Sequence, residues 1–384
     1  MKQIHIFTIF ETPKSFYDGQ FGYLVDQGNE ILLISSDVED VKDFVEKNHI
    51  RFVPVQMPRA LSLVAILRAI RQIIKLVRKE KPDAVFGHTP VGALCAMIAA
   101  KWCKVKHRVY YRHGLIYTTM KGLKRTVFKM EERFVSALAT DIINVSPSLS
   151  KLAVCDGLNA ESKQHVIGHG TCGGIDAVNQ FNPQLMESES LRQKAEYLGI
   201  ANADIVFGFC GRICNDKGIS ELVDAFELFQ KKYPDLLSKL VLIGSFDIRD
   251  GLSAQKRNQI ETTKDIVVTG RIDKSEMPSY YALLDVFVFP SHREGFGMSV
   301  VEASAMEKPI LVSRSHGCVD SIIEYETGEY IDLSAEGILK GMERMLQEDV
   351  RRNLGKNGRC RVLEWYDHRV MWPLVKELYE RISG

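Results

Sequence analysis

The sequence predicts an α/β protein made of two doubly wound, parallel-sheet domains in tandem. The chain has 384 residues, enough for two domains of ordinary size. Short apolar, β-branched runs alternate with helical patterns twice over, once in each half, as parallel sheets with crossover helices require. Between the two series lies a stretch of about 165–204 that is richer in Gly, Asn, Pro and charge, where a domain junction belongs.

In the first half the expected strands are Gln3–Phe10, Glu30–Ser35, Ala84–Gly87, Arg108–Tyr111 and Asp141–Val145. The clearest helix is Leu61–Glu80, with apolar residues at Leu63, Ile66, Leu67, Ile70, Ile73, Ile74 and Val77. In the second half the strands are Ile205–Gly211, Lys239–Gly244, Asp265–Thr269, Asp285–Pro290 and Pro309–Ser313. The apolar-periodic segment Val300–Met306 reads as a helix. Arg361–Ile382 reads as helices broken around Pro373, because proline removes a helical hydrogen bond.

Composition excludes several classes. Hydrophobic residues are 45% and charged residues 26%, which is globular and not disordered. No run of about 18 apolar residues reads as a membrane span. The start, Met-Lys-Gln-Ile-His-Ile-Phe, runs straight into a strand without the apolar core of a secretion signal, so a cytoplasmic protein is expected. The eight cysteines include no C-x-x-C pair, and most sit in apolar surroundings, so reduced, buried thiols are expected. Cys210 and Cys214 have no second ligand pair at zinc spacing.

The net charge of +1 hides an asymmetry. Residues 1–150 carry a balance of +8, and residues 51–150 alone hold 18 basic against 5 acidic side chains. Such a domain suits an anionic partner: nucleic acid, a membrane surface or a phosphorylated acceptor.

The most informative stretch is Glu294-Gly-Phe-Gly-Met-Ser-Val-Val-Glu302. It places one carboxylate in the loop at the carboxyl end of a strand and a second about two turns further on, inside the next helix. Open parallel sheets bind ligands at that end. The glycines leave backbone N–H groups open at the helix start, and ionised carboxylates accept hydrogen bonds from hydroxyls. A Glu near a helix start can equally serve only the helix dipole.

The segment EGFGMSVVEASAMEKPILVS resembles the E-x7-E region of retaining glycosyltransferases of family 4, which have the GT-B fold. FGFCGRICNDKGISELVDA is similar to the same family's G-R-x(4)-K-G-x(3)-L block, with Gly211, Arg212, Lys217, Gly218 and Leu222 in place. The run 267–291 also matches the family, and IGHGTCGGIDAVNQF resembles its interdomain segment. The first half matches more loosely, including a His-Gly pair in YYRHGLIY. The family usually carries Gly-Gly after its first strand, whereas here Phe10-Glu-Thr-Pro-Lys-Ser-Phe16 has no glycine, with Lys14 or Ser15 as candidate substitutes.

The resemblance implies two Rossmann-like domains facing a central cleft. Residues 1–170 would bind the acceptor, residues 171–364 would bind the nucleotide-sugar donor, and the last helix, 365–384, would pack back on the first domain. It implies that Arg212 and Lys217 neutralise the donor diphosphate, that Glu294 holds the transferred sugar and that Glu302 binds the ribose. The N–H groups of Phe296 and Gly297 would reach sugar or phosphate. Gly211 belongs to the same donor loop, and Gly270 and Arg271 would lie near the nucleobase. His113 would hydrogen-bond the donor sugar, or else is satisfied by loop carbonyls; His88, His169 and His316 receive no role.

No Asp-x-Asp element occurs in a strand-end loop, so no metal and no cofactor is expected; positive side chains and helix N-termini would carry the phosphate charge. The implied reaction is transfer with retention from a UDP-sugar to a lipid-linked or oligosaccharide acceptor in cell-surface polysaccharide synthesis. The basic segment with Lys121, Lys124, Arg125 and Lys129 would meet acceptor or an anionic membrane, making the protein peripheral on the inner face of the plasma membrane. A nucleotide-sugar epimerase and a non-catalytic nucleotide-sugar-binding protein are the alternatives. No G-x-G-x-x-G follows the first strand to suggest an oxidoreductase, and no nucleic-acid module is found, so nucleic acid is not an expected partner.

Overall fold

A computed structural model describes the chain except residues 37–40, 59–61, 172 and 249. It divides into two compact units, Met1–Gly174 with His368–Gly384, and Ile175–Asp367.

The first unit holds a seven-stranded sheet: β1 (Lys2–Ile6), β2 (Glu30–Ser35), β3 (Arg51–Pro54), β4 (Ala84–His88), β5 (His107–Arg112), β6 (Asp141–Asn144) and β7 (Gln164–Val166). Their order is β3-β2-β1-β4-β5-β6-β7, all parallel. The chain winds outward from β1 in one direction and then, from β4, in the other. The switch point therefore lies between β1 and β4, and parallel doubly wound sheets bind ligands at the carboxyl ends beside such a point. The core is aliphatic, with Ile4, Ile6, Leu32, Ile34, Val85 and Ile142 of the strands packed under Ile66, Ile70 and Ile73 of the helix Leu63–Glu80. The expected Leu61 start of that helix lies outside the described residues.

The second unit holds six parallel strands: β8 (Ile205–Cys210), β9 (Ser238–Ile243), β10 (Ile266–Gly270), β11 (Val286–Phe289), β12 (Ile310–Ser313) and β13 (Gly328–Ile331), in the order β10-β9-β8-β11-β12-β13. Central strands such as β8 and β11 are continuous apolar runs because helices cover both faces of the sheet. The switch point here lies between β8 and β11.

Three strands escape the sequence reading: β3, β7 and β13. All three are sheet edges of three or four residues. An edge strand satisfies only one ladder, so it can be short and half-exposed and gives little apolar signal. Conversely β1 is shorter than expected. It ends at Ile6, and the glycine-free loop after it folds into the helix Glu11–Phe16, which carries both Lys14 and Ser15.

The C-terminal region corrects a second expectation. The chain breaks between the helices Glu348–Trp365 and His368–Ser383, not at Pro373. Pro373 sits inside the last helix on its exposed side. That helix belongs to the first unit. Trp372 Nε1 donates to Gly173 O at 2.9 Å, and the Tyr379 ring lies 4.5 Å from Phe86. Gly19 accommodates Trp372, since a Cβ there would come within 2.9 Å of the indole.

Candidate active site

In the second unit the loops after β8 and β11 flank the switch point and are laced together. His292 N donates to Asp216 O at 3.0 Å, Arg293 Nη2 donates to Asp216 Oδ2 at 2.6 Å, and Ser291 Oγ donates to Asp216 O at 3.3 Å. Gly218 makes this approach possible. It adopts φ +68°, and a Cβ would fall 2.0 Å from Pro290 O. The loop after β12 closes the other side. A Cβ on Gly317 would meet Glu294 O at 2.6 Å, and Ser315 Oγ donates to Ser291 O at 2.7 Å.

Within this frame Lys217 and Glu294 form an ion pair between the two loops, with side chains only 13% and 15% exposed. The Lys217 ammonium also lies 5.7 Å from the centre of the Phe289 ring at the end of β11. Arg212, one residue beyond Gly211, reaches outward and is held by Asp247 at 2.5 Å, with half its side chain exposed. The two cations thus share one loop, but Lys217 pairs with Glu294 and Arg212 with Asp247.

Past Glu294 the chain turns through Gly297 at φ +88°, the cap of the helix Met298–Ala305. No side chain caps that terminus, and Val300 N donates back to Gly297 O at 2.9 Å. The Phe296 side chain is buried and packs edge-on against Tyr366 at 5.3 Å, which leaves only its backbone for a ligand.

Glu302 lies one turn into this helix and accepts a hydrogen bond from Tyr281 Oη at 2.8 Å. Burial pushes its carboxyl above the ordinary range, against the opposing pull of Lys274 and the Tyr281 hydroxyl. Gly270 ends β10, two strands from β8, and Arg271 follows it and is exposed. A Cβ on Gly270 would meet nothing within 4 Å, so that loop is open where Gly218 is crowded.

The partners of these residues carry no motif. Asp216 and Arg293 are chain neighbours of Lys217 and Glu294 that no motif singles out, whereas Asp247 and Tyr281 are brought to the site only by the winding of the sheet.

The first unit places His113 just after β5, half-buried, in contact with two groups that sequence reasoning passed over. His88 Nδ1 lies 3.1 Å and Tyr17 Oη 3.4 Å from His113 Nε2. His88 continues to His5, whose Nδ1 is 3.1 Å from His88 Nε2. His5 and His88 are fully buried. Burial lowers His5 to about 3 and His113 to about 4, and holds His88 well below its ordinary value, so all three rings are neutral.

On the helix Gly122–Leu138 of the same unit, Lys121, Lys124 and Arg125 at its start are exposed, whereas Lys129 is tied to Asp156 at 2.7 Å. The same helix exposes Leu123, Val127, Met130 and Phe134, three or four residues apart and therefore along one face. Among the described residues no helix is long and apolar enough to cross a membrane.

Two family profiles match the chain: "Glycosyl transferases group 1" over residues 192–361 and "Glycosyl transferase 4-like" over residues 11–146. The capsular polysaccharide biosynthesis glycosyltransferase CapM of Staphylococcus aureus is 31% identical over 383 residues, spanning 99% of this chain and 97% of that one. The Escherichia coli UDP-Gal:alpha-D-GlcNAc-diphosphoundecaprenol alpha-1,3-galactosyltransferase is 22% identical over 364 residues, 94% and 91% of the two chains. Among solved structures, Anabaena HepE in complex with UDP and glucose superimposes with a TM-score of 0.82 at 15% identity, covering 99% of this chain and 100% of that one, which is a likeness of fold. With a glycosyltransferase 31% identical across almost the whole of both chains, and with two Rossmann-like sheets whose structural neighbours are GT-B enzymes, this chain belongs to the group 1, 4-like glycosyltransferases of the GT-B fold.

Proposed function

We propose that this glycosyltransferase takes a sugar from a UDP-sugar and transfers it, with retention, to a lipid-linked or glycan acceptor in cell-surface polysaccharide synthesis. The observation that carries the reading is the Lys217–Glu294 pair beside the switch point of the second sheet, with Arg212 on the same loop. The donor needs two things there. Its diphosphate must be neutralised as it leaves, and its sugar hydroxyls must be held. A lysine and an arginine on one loop serve the first, and a carboxylate facing them serves the second.

In this reading the diphosphate takes Lys217 from Glu294, which frees the carboxylate to accept from sugar hydroxyls. Arg212 turns from Asp247 to the phosphates. The backbone N–H groups of Phe296 and Gly297 would add dipole stabilisation that costs no reorganisation during the reaction. Glu302, held by Tyr281, accepts from the ribose hydroxyls. Gly211 lets the backbone pass close to the phosphate, and Gly270 with Arg271 border the base. His113 takes a substrate hydroxyl. Retention follows if the leaving phosphate removes the acceptor's proton on the same face of the sugar.

A lipid-linked acceptor accords with the charge of the first half and with the helix Gly122–Leu138. Its exposed apolar face would enter the headgroup boundary of an anionic bilayer while Lys121, Lys124 and Arg125 meet lipid phosphates. Lys129 has the smaller part because Asp156 already neutralises it. The E. coli relative, a galactosyltransferase acting on a diphosphoundecaprenol-linked sugar, supports the acceptor class.

The test is a thermal-shift panel of UDP, GDP, ADP and CMP with their sugars, using Glu302→Ala as control. A ligand specific for the folded protein raises its melting temperature. A shift with UDP and its sugars that weakens in Glu302→Ala is the expected outcome. No shift with any of them on folded protein would overturn the reading, and an inverted anomeric centre in the product would overturn retention.

A further inference from the structure

A hydrogen-bonded relay runs through the core of the first unit to His113, and one end of it has a fixed direction. Leu24 O, a backbone carbonyl, can only accept. The atom of Asn29 that faces it at 2.8 Å must therefore be the amide nitrogen. This leaves Asn29 Oδ1 to accept from Gln3 Nε2 at 3.0 Å, and leaves Gln3 Oε1 facing His5 Nε2 at 2.9 Å. His5 must then carry its proton on Nε2. A neutral imidazole has one N–H and one lone pair, so His5 Nδ1 accepts, and His88 donates to it through Nε2.

The same step repeats at His88, whose Nδ1 becomes an acceptor. Two groups lie within reach of it, His113 Nε2 at 3.1 Å and Tyr17 Oη at 3.3 Å. If His113 donates to His88, its proton is on Nε2. If Tyr17 donates to His88, the phenol oxygen accepts from His113, and the proton is again on Nε2. An unprotonated His113 Nε2, as when Tyr17 donates to it, sets two nitrogen lone pairs against each other at 3.1 Å. Aromatic neighbours hold every ring in this register. Phe86 stacks on His5 at 4.3 Å, Phe7 on His88 at 4.0 Å and Tyr111 on His113 at 5.1 Å.

We infer that His5 and His88 are positioning residues that hold His113 as its Nε2–H tautomer, so that His113 offers the substrate a hydrogen-bond acceptor, Nδ1, and no donor. Such a ring accepts from a hydroxyl and repels an unprotonated oxyanion. His113 therefore selects a carbohydrate hydroxyl over a phosphate oxygen as its partner. The hydroxyl rests on the transferase reading above; the tautomer does not.

The direction originates at Asn29, a residue outside the candidate site, which makes the relay separable from it. With Asn29→Leu the Gln3 amide loses the partner that orients it and can turn over, which reverses the preferred direction of every later hydrogen bond. His88→Phe cuts the relay one step from His113.

Nitrogen-15 spectra of the full chain labelled at histidine distinguish a protonated ring nitrogen from one with a lone pair. Wild-type protein at pH 7 should show His113 with protonated Nε2 and unprotonated Nδ1, and both variants should show a second tautomer. Protonated Nδ1, or a doubly protonated ring, in the wild type would overturn the inference. An unchanged Nε2–H tautomer in both variants would remove His5 and His88 from the role. Addition of UDP-glucose should then shift His113 Nδ1 in the direction of hydrogen-bond acceptance, and UDP alone should not. A shift with UDP alone would show that His113 meets the phosphate and overturn the selectivity. If the tautomer is as inferred and neither ligand perturbs any histidine, the relay stands and the donor assignment above fails.

Discussion

Lys217 and Glu294 neutralise each other between two loops that diverge from the switch point of the second sheet. Each group is the other's main compensation for a largely buried charge. Replacing Lys217 by Met leaves Glu294 unpaired, at a cost of roughly 1–3 kcal/mol in stability. Replacing Glu294 by Gln removes charge but keeps an acceptor, so the stability loss should be smaller. Sugar transfer should nonetheless fall about 10²-fold or more in both, because both ends act on the donor in the proposed mechanism. Calorimetry and turnover on the same samples separate the two effects. A Lys217→Met protein with normal turnover would exclude the phosphate role.

Glu302 gives a pH-dependent expectation. Burial raises its carboxyl, while Lys274 and Tyr281 Oη pull it back down. Only the ionised form accepts from both ribose hydroxyls, so UDP affinity should fall as pH drops through the raised value. Removing the Tyr281 hydroxyl leaves burial less opposed. Tyr281→Phe should therefore weaken UDP binding at a higher pH than in the wild type. Titration calorimetry at half-unit steps from pH 4.5 to 7.5 would show the displaced midpoint; superimposable profiles would show that Glu302 does not meet the ribose.

The buried rings of His5 and His88 make a prediction about acid. Both are held neutral by burial, below the ordinary histidine value of 6.5. The unfolded chain therefore binds more protons than the folded one once pH falls below 6.5. Their contribution to stability is complete above that value and is lost as pH falls, at about 1.4 kcal/mol per pH unit for each ring. For His5 the loss continues down to about 3. Hydrogen exchange at the β1 amides reports this opening free energy. His5→Leu should lower it at pH 7 through the broken relay, yet flatten its slope between pH 6 and 5 by one proton's worth. An unchanged slope would mean that His5 is protonated in the folded protein.

The sequence shows the candidate site residues better than what holds them in place. The Gly-Phe-Gly turn, Glu294 and Glu302, and the Gly211-to-Leu222 block are readable because backbone freedom and charge at fixed spacing leave a linear trace. Both sheets are readable through their central strands, which are continuous apolar runs. The edge strands β3, β7 and β13 are not, because a single ladder demands little of composition. The His5–His88–His113 relay is also invisible in the chain. Its members lie on β1, on β4 and just past β5, which adjoin only because β4 lies between β1 and β5, and a lone histidine in an apolar run looks like an ordinary core residue. Asp247 and Tyr281 are hidden for the same reason: each is defined by what the winding brings near it.

The helix Gly122–Leu138 tests the acceptor side. Leu123 is 80% exposed and Met130 63%, on one face with Val127 and Phe134. An isolated apolar residue on a surface needs no partner, but four in helical register make a stripe. If the stripe enters a bilayer, Leu123→Asp with Met130→Asp should abolish binding to vesicles rich in anionic lipid. Lys121→Gln with Lys124→Gln should weaken it by about 1 kcal/mol per charge, an effect that vanishes on neutral vesicles or at high salt. Neither pair alters the second unit, so UDP binding should be unchanged and serves as the folding control. Equal binding of all variants to anionic and neutral vesicles would show that this helix face does not meet lipid. The stripe would then await a protein partner of its own, and the lipid-linked acceptor would need a different entry.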